Sequence, residues 1–145
     1  MKVFGSLLFI FFIGLGIANA QTDKSYFLDL PSTNQDTTFE KVLHLLLSSD
    51  YFVVSADKSS GLIQCKIVMD DSKVFTKLEV DILEYNLLTR NNQDKGIRIY
   101  IQANLKQTIR SVGVNSNRGY TDDNGVAKKP KYYEPLIAFL KSNLI

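Results

Sequence analysis

The residues best suited to binding lie near the C-terminus, where Lys128-Lys129-Pro130-Lys131 is followed directly by Tyr132-Tyr133. Ammonium groups this closely spaced, beside two aromatic rings, suit an anionic partner such as a phosphate, a lipid headgroup or an acidic peptide. The same pattern also fits a solvated loop leading into a helix whose tyrosines bury. Both readings stand at the level of the sequence.

Other chemistry is sparse. His44 is the single histidine, so neither a histidine-based triad nor a multi-histidine metal site can be built within one chain. Carboxylates occur as Asp70-Asp71 in a turn, and as Glu79, Asp81 and Glu84 along a strand. Glycoside hydrolysis needs two carboxylates at a set separation in a cleft, one with a raised pKa. A turn and the polar side of a strand point to solvated groups instead. Asp122-Asp123-Asn124-Gly125 begins like a calcium loop but lacks the later alternating ligands and the bidentate glutamate that closes one. The expectation is a non-enzymatic protein with no catalytic residue, metal or cofactor.

The elements that must position these residues follow from periodicity. Ser25–Leu30 is a short aromatic and apolar run that reads as a first strand, closed by Pro31-Ser32-Thr33-Asn34. Asp36, Thr37 or Thr38 can cap a helix, and Thr37 with Glu40 has the capping-box spacing. Phe39, Val42, Leu43, Leu46 and Leu47 share one face of that helix, and His44 projects away from it with Glu40, Lys41 and Ser48. Tyr51–Val54 begins a strand, and Asp57–Gly61 is a turn cluster.

Leu62–Met69 alternates, with Ile63, Cys65, Ile67 and Met69 on the apolar side. That phase makes Cys65, the only cysteine, a buried small hydrophobe. After a turn at Asp70–Lys73, the alternation from Val74 places Leu78, Val80 and Ile82 on one side. Lys77, Glu79 and Asp81 fall on the other. Asn91–Gly96 is a hairpin connection into Ile97–Leu105, which alternates with Arg98, Tyr100 and Gln102 on its polar side. Ser116–Lys129 reads as a long exposed loop with a weak hairpin at most. A last helix begins near Tyr132, with Pro135 in its first turn.

The fold class is therefore α+β: an antiparallel sheet of four to five strands with two helices on one face, in the order β-α-β-β-β-β-α. The sheet's other face is expected to be polar and solvated.

Residues 1–20 carry the marks of a secretory signal peptide. Lys2 supplies the positive start, Leu7–Ile13 an unbroken apolar run, and Ala18-Asn19-Ala20 a cleavage site. The apolar stretch Val3–Ile17 is shorter than the roughly 20 residues that span a bilayer. The expected product is a single domain, 21–145, exported to the periplasm or beyond and without a membrane span. The chain holds 17 basic and 15 acidic side chains, a formal charge of +2. So even a balance argues against a nucleic-acid binder, which must neutralise many phosphates.

A helix of the form F-x-x-V-L-x-x-L (Phe39–Leu46), the strand Tyr51–Ala56, the turn Asp57-Lys58-Ser59-Ser60-Gly61-Leu62-Ile63, a meander and a closing helix resemble small exported bacterial cell-envelope domains. These are the BamC-like and TATA-binding-protein-like α+β domains. In residues the likeness is confined to Phe39–Ile63. It departs from the BamC-like pattern in having Gln21, not a lipidated cysteine, after the cleavage site. The resemblance implies a domain without catalytic residues that binds an envelope protein or another envelope component. Two alternatives are a carrier holding a small apolar ligand between sheet and helices, and a hydrolase with a carboxylate-based site.

Overall fold

The computed structural model describes residues 26–31, 34–70, 77–93, 95–111 and 119–145. The proposed signal peptide, Gln21, Val74 and the turn residues Asp71–Lys73 lie outside these. So do the side chains of Asp70 and of residues 77–80, which include Lys77, Leu78, Glu79 and Val80.

The chain forms β1 (Tyr26–Leu30), α1 (Gln35–Leu47), β2 (Phe52–Asp57), β3 (Leu62–Asp70), β4 (Lys77–Asn92), β5 (Gly96–Ser111), β6 (Gly119–Val126) and α2 (Glu134–Leu144). A single 3-10 turn, Pro130–Tyr132, precedes α2. The sheet is antiparallel, ordered β1-β5-β4-β3-β2, and β6 continues the β1 side of β5. Both helices pack on one face, so the α+β architecture holds, with one strand more than the sequence suggests.

That extra strand is the segment expected to be a loop. Thr121, Asp122 and Asp123 are exposed, and no apolar alternation marks them. The strand exists because β5 offers an open row of backbone groups from Asn104 to Arg110, which β6 pairs.

Helix α1 starts earlier than its apolar stripe. Asn34, in extended conformation, accepts the Thr37 N–H on its Oδ1 at 2.9 Å, so the cap is Asn34 and not Asp36, Thr37 or Thr38. Phe39, Val42 and Leu46 then bury against the sheet. Burying an apolar side chain of this size stabilises by about 1.5–3 kcal/mol, which explains why this face governs the helix's orientation. Leu136 and Leu140 do the same for α2.

The phase of β4 differs from the sequence expectation. Its pairing with β3 and with β5 runs without a shift, and Leu83, Tyr85, Leu87 and Thr89 are the buried positions. From Asp81 to Thr89 the odd positions therefore share the helix-covered side of the sheet, and Asp81 Oδ1 accepts from Gln107 Nε2 at 3.2 Å. Ile82 lies on the opposite, uncovered face. Apolar residues occur in both phases here (Ile82 and Leu88, Leu83 and Leu87), so alternation alone selects neither. Partner strands decide it: Leu83, Tyr85 and Leu87 stand opposite Ile67, Cys65 and Ile63. Cys65 is buried on the helix-covered face, as its own strand phase predicts.

Candidate functional site

The basic segment is a strap fixed at both ends. At its start, Ala127 N–H donates to Ala103 O at 2.8 Å, extending the β6–β5 pairing by one bond. At its end, the Tyr133 hydroxyl donates to Ala127 O at 2.6 Å and accepts the Ala103 N–H at 3.3 Å. The Tyr133 ring stacks on Tyr26 of β1, with centroids 3.7 Å apart and planes within 9°. Between these ends, Pro130 sets the 3-10 turn, and Tyr133 N–H closes it on Pro130 O at 2.8 Å. Tyr85, in the centre of β4, donates its hydroxyl to Tyr132 O at 2.5 Å.

The structure thus divides the five residues singled out by the sequence. Lys128, Lys129 and Lys131 are exposed, and among the described residues none of them forms an ion pair. Lys131 Nζ stands 4.8 Å from the centre of the Tyr132 ring, which is itself half-buried. Tyr133 is 2% exposed and belongs to the core. Its role is to hold the strap, and only the lysines and the Tyr132 ring reach outward.

Several other titratable groups engage neighbours locally. Lys106 Nζ meets Glu84 Oε1 at 2.9 Å. Asp123 Oδ1 accepts the Gly125 N–H at 2.9 Å, and Gly125 has positive φ, so the Asp122–Gly125 segment is not the turn the sequence suggests but part of β6, with the β6–β5 register shifting at Asn124-Gly125. No group of three metal-ligating side chains converges among the described residues. His44 lines an open cleft of about 480 Å³ between α1 and the end of α2, with Thr37, Glu40, Lys41, Leu45, Asn143 and Leu144. Glu40 is held below the usual carboxylate range by its hydrogen bond from Lys58. The space between sheet and helices is filled by fully buried side chains, among them Tyr85, Leu46, Ile63, Leu136 and Leu140.

The uncovered face of the sheet is less polar than the sequence suggests. Among the described residues, five of the eight exposed large hydrophobic side chains sit on it: Phe27, Phe52, Val68, Tyr100 and Val126. Arg98 and Tyr100 belong here as expected, with Gln102, whereas Asp81 does not. Strand register sorts the face into cross-strand rows. Leu62, Leu88, Tyr100 and Phe27 stand side by side on β3, β4, β5 and β1. One row further, Ser55, Gln64, Asn86 and Gln102 form a polar line, tied by Ser55 Oγ to Gln64 Oε1 at 2.7 Å and Gln64 Nε2 to Asn86 Oδ1 at 2.8 Å. On the other side of the apolar row lie Arg90, Arg98 and Asp29. Arg98 grips Asp29 through two hydrogen bonds of 2.6 and 2.8 Å and covers the Phe27 ring at 4.0 Å. The missed signal was the apolar residue in the polar phase of each strand, such as Val68 on β3.

No helix among the described residues is long and apolar enough to cross a membrane. No known protein family, curated protein or solved structure matches the chain.

Proposed function

We propose that this chain is an exported, non-enzymatic binding domain of the bacterial cell envelope that grips an acidic surface of an envelope protein with Lys128, Lys129 and Lys131. One observation carries the reading: three ammonium groups without a carboxylate partner among the described residues project from a strap pinned at Ala127 and Tyr133. Pinning matters because a segment already ordered loses less conformational freedom on binding. The Ala18-Asn19-Ala20 cleavage motif supports export, and the resemblance of Phe39–Ile63 to envelope domains supports the compartment. Against a carrier of apolar ligands stands the tight filling between helices and sheet. The cleft at His44 lies outside that core and is open to solvent, so it does not enclose a ligand.

Affinity capture from the native envelope, followed by mass spectrometry, identifies the partner. Binding to it should then weaken between 0.1 M and 1 M salt, as the Debye length shrinks from ~10 Å to ~3 Å. Replacing Lys128, Lys129 and Lys131 together with Ser should abolish binding and leave stability within about 0.5 kcal/mol, since the three are exposed. Undiminished binding by that variant at low salt would refute the assignment.

A further inference from the structure

Asn124-Gly125 is the one Asn-Gly step in the chain, and it lies where β6 departs from its partner strand. Pairing runs from Gly119 opposite Arg110 to Asp123 opposite Lys106, and resumes with Val126 opposite Asn104. Asn124 and Gly125 therefore stand together against Leu105, outside the regular ladder. Both are exposed, and among the described residues β6 pairs only with β5, so its other edge has no partner strand there. We propose that Asn124 is a self-modification site, at which the Gly125 backbone nitrogen attacks the Asn124 carboxamide and expels ammonia.

The reaction needs no outside reactant but water. A bond forms from Gly125 N to Asn124 Cγ, and the bond from Cγ to the side-chain nitrogen breaks. The proton of the Gly125 N–H leaves with that nitrogen as ammonia, and a succinimide ring remains in the main chain. Water then opens the ring at either carbonyl. Opening at Cγ gives aspartate. Opening at the main-chain carbonyl gives isoaspartate, whose backbone runs through the side-chain methylene and is longer by one carbon. Nothing is oxidised or reduced.

The local geometry favours this attack. Gly125 has no side chain to flank its nitrogen, and a Cβ placed there would meet no atom within 4 Å, so the carboxamide has room to approach. The Gly125 N–H donates to Asp123 Oδ1 at 2.9 Å, so the proton that must leave already faces a carboxylate able to accept it. The Asn124 carboxamide makes no hydrogen bond among the described residues and can swing back over the main chain. Asn86 lacks this freedom: its Oδ1 accepts from Gln64 Nε2 at 2.8 Å, and the bulky Leu87 follows it.

Either product puts a carboxylate where a neutral amide stood. Isoaspartate also lengthens the main chain just before two contacts, the pairing of Val126 with Asn104 and the bond from Ala127 N–H to Ala103 O. Those contacts fix the start of the strap that carries Lys128, Lys129 and Lys131. The modification is thus a slow, one-way loosening of that anchor.

The test is to incubate the folded protein at physiological temperature in mildly alkaline buffer made with heavy-oxygen water. Asn124 should convert to a mixture of aspartate and isoaspartate, each carrying a heavy oxygen, at a rate of the same order as in the guanidinium-unfolded chain. Peptide mapping, with fragmentation that tells the two products apart, reads this out. Charge separation of the intact protein should show a more acidic form accumulating in parallel. Asn124→Gln would have to close a larger ring and should give no product at that position over the same period. Hydrogen exchange at Ala127 should be faster in the separated isoaspartyl form than in the unmodified one. An Asn124 that stays intact in the folded protein while converting in the unfolded chain overturns the proposal. So does aspartate without isoaspartate, or an acidic form that accumulates undiminished in Asn124→Gln. Equal exchange at Ala127 in the two forms overturns the loosening of the anchor. None of these readouts involves a binding partner, so they stand or fall separately from the acidic-partner reading.

Discussion

The hydroxyl of Tyr133 accepts the amide N–H of Ala103 at 3.3 Å, at the seam where β5 changes neighbours. Upstream, the last β1 pair is Tyr26 with Ile101; downstream, the first β6 pair is Asn104 with Val126. A buried backbone N–H left at such a seam costs about 1–3 kcal/mol. Tyr133 meets it with a side chain, and the same hydroxyl donates its proton to Ala127 O. One residue thus joins the sheet edge, the end of β6 and the lysine strap.

Tyr133→Phe should therefore destabilise the protein by about 1–3 kcal/mol, because it orphans a buried donor and a buried acceptor while keeping the ring stacked on Tyr26. Urea denaturation, with the midpoint falling and the slope unchanged, is the check. Hydrogen exchange should quicken first at Ala103 and Ala127. An unaltered midpoint would mean that water replaces the hydroxyl without loss.

Gly61 presents a different constraint. Its φ is +72°, and a Cβ placed there would stand 2.5 Å from Thr89 O, a backbone atom of the neighbouring strand. The same Thr89 O accepts from Gln35 Nε2 at 3.1 Å, and Thr89 N–H donates to Gly61 O at 2.9 Å. Gly61→Ala should cost at least about 2 kcal/mol, combining left-handed backbone strain with displacement of β4. Thermal melting against Gly125→Ala separates the two causes, since Gly125 has similar φ but open space around it.

Features set by side-chain burial were legible in the sequence, and features set by backbone pairing were not. The stripe Phe39, Val42, Leu46 and the strand phase of Cys65 follow directly from apolar spacing, and both helices and the meander were accessible on that basis. β6 was not, because Thr121, Asp122 and Asp123 contribute no burial and the strand rests on hydrogen bonds to β5. The phase of β4 was hidden because Ile82 and Leu88 are apolar on the face without helices. The same ambiguity concealed the apolar row on that face. At the strap, aromatic character alone could not separate Tyr132, half-exposed, from Tyr133, whose hydroxyl finds two backbone partners inside.

Alkaline pH should destabilise the fold. Burial pushes the Cys65 thiol up to about 12, and the Tyr51 phenol likewise to about 12. In the unfolded chain these groups ionise near 8.5 and 10. From about pH 9 upward the unfolded state sheds protons that the native state keeps, so stability present at neutral pH is lost as pH rises towards 12. Urea titrations at successive pH values should show this fall, and Cys65→Ala should make its lower part shallower. The same burial makes native labelling of Cys65 by a thiol reagent slow, with rapid reaction only after denaturation. Fast labelling of the folded protein would contradict the burial on which both expectations rest.

At the acid end the relevant pair is Asp29 and Arg98. The two hydrogen bonds from the guanidinium hold the Asp29 carboxyl below its usual range, opposed in part by desolvation and helped by the charges of Arg98 and Lys95. A depressed carboxyl stabilises the native state above its unfolded pKa of about 3.9, and that contribution disappears as pH falls through the lower native value. The pair is partly exposed, at 19% for Arg98 and 28% for Asp29, so solvent screens it and the effect is small. Asp29→Asn should lower stability at pH 7 and flatten the stability profile below about pH 4, compared with the parent protein. Raising the salt concentration should shrink that difference. Arg98→Lys distinguishes charge from geometry: it keeps the charge but loses the two-pronged grip and the flat stacking over Phe27. It should therefore return the Asp29 pKa, followed by NMR titration, most of the way to its ordinary value. A pKa unmoved by Arg98→Lys would mean that charge alone, and not the paired hydrogen bonds, holds Asp29 ionised.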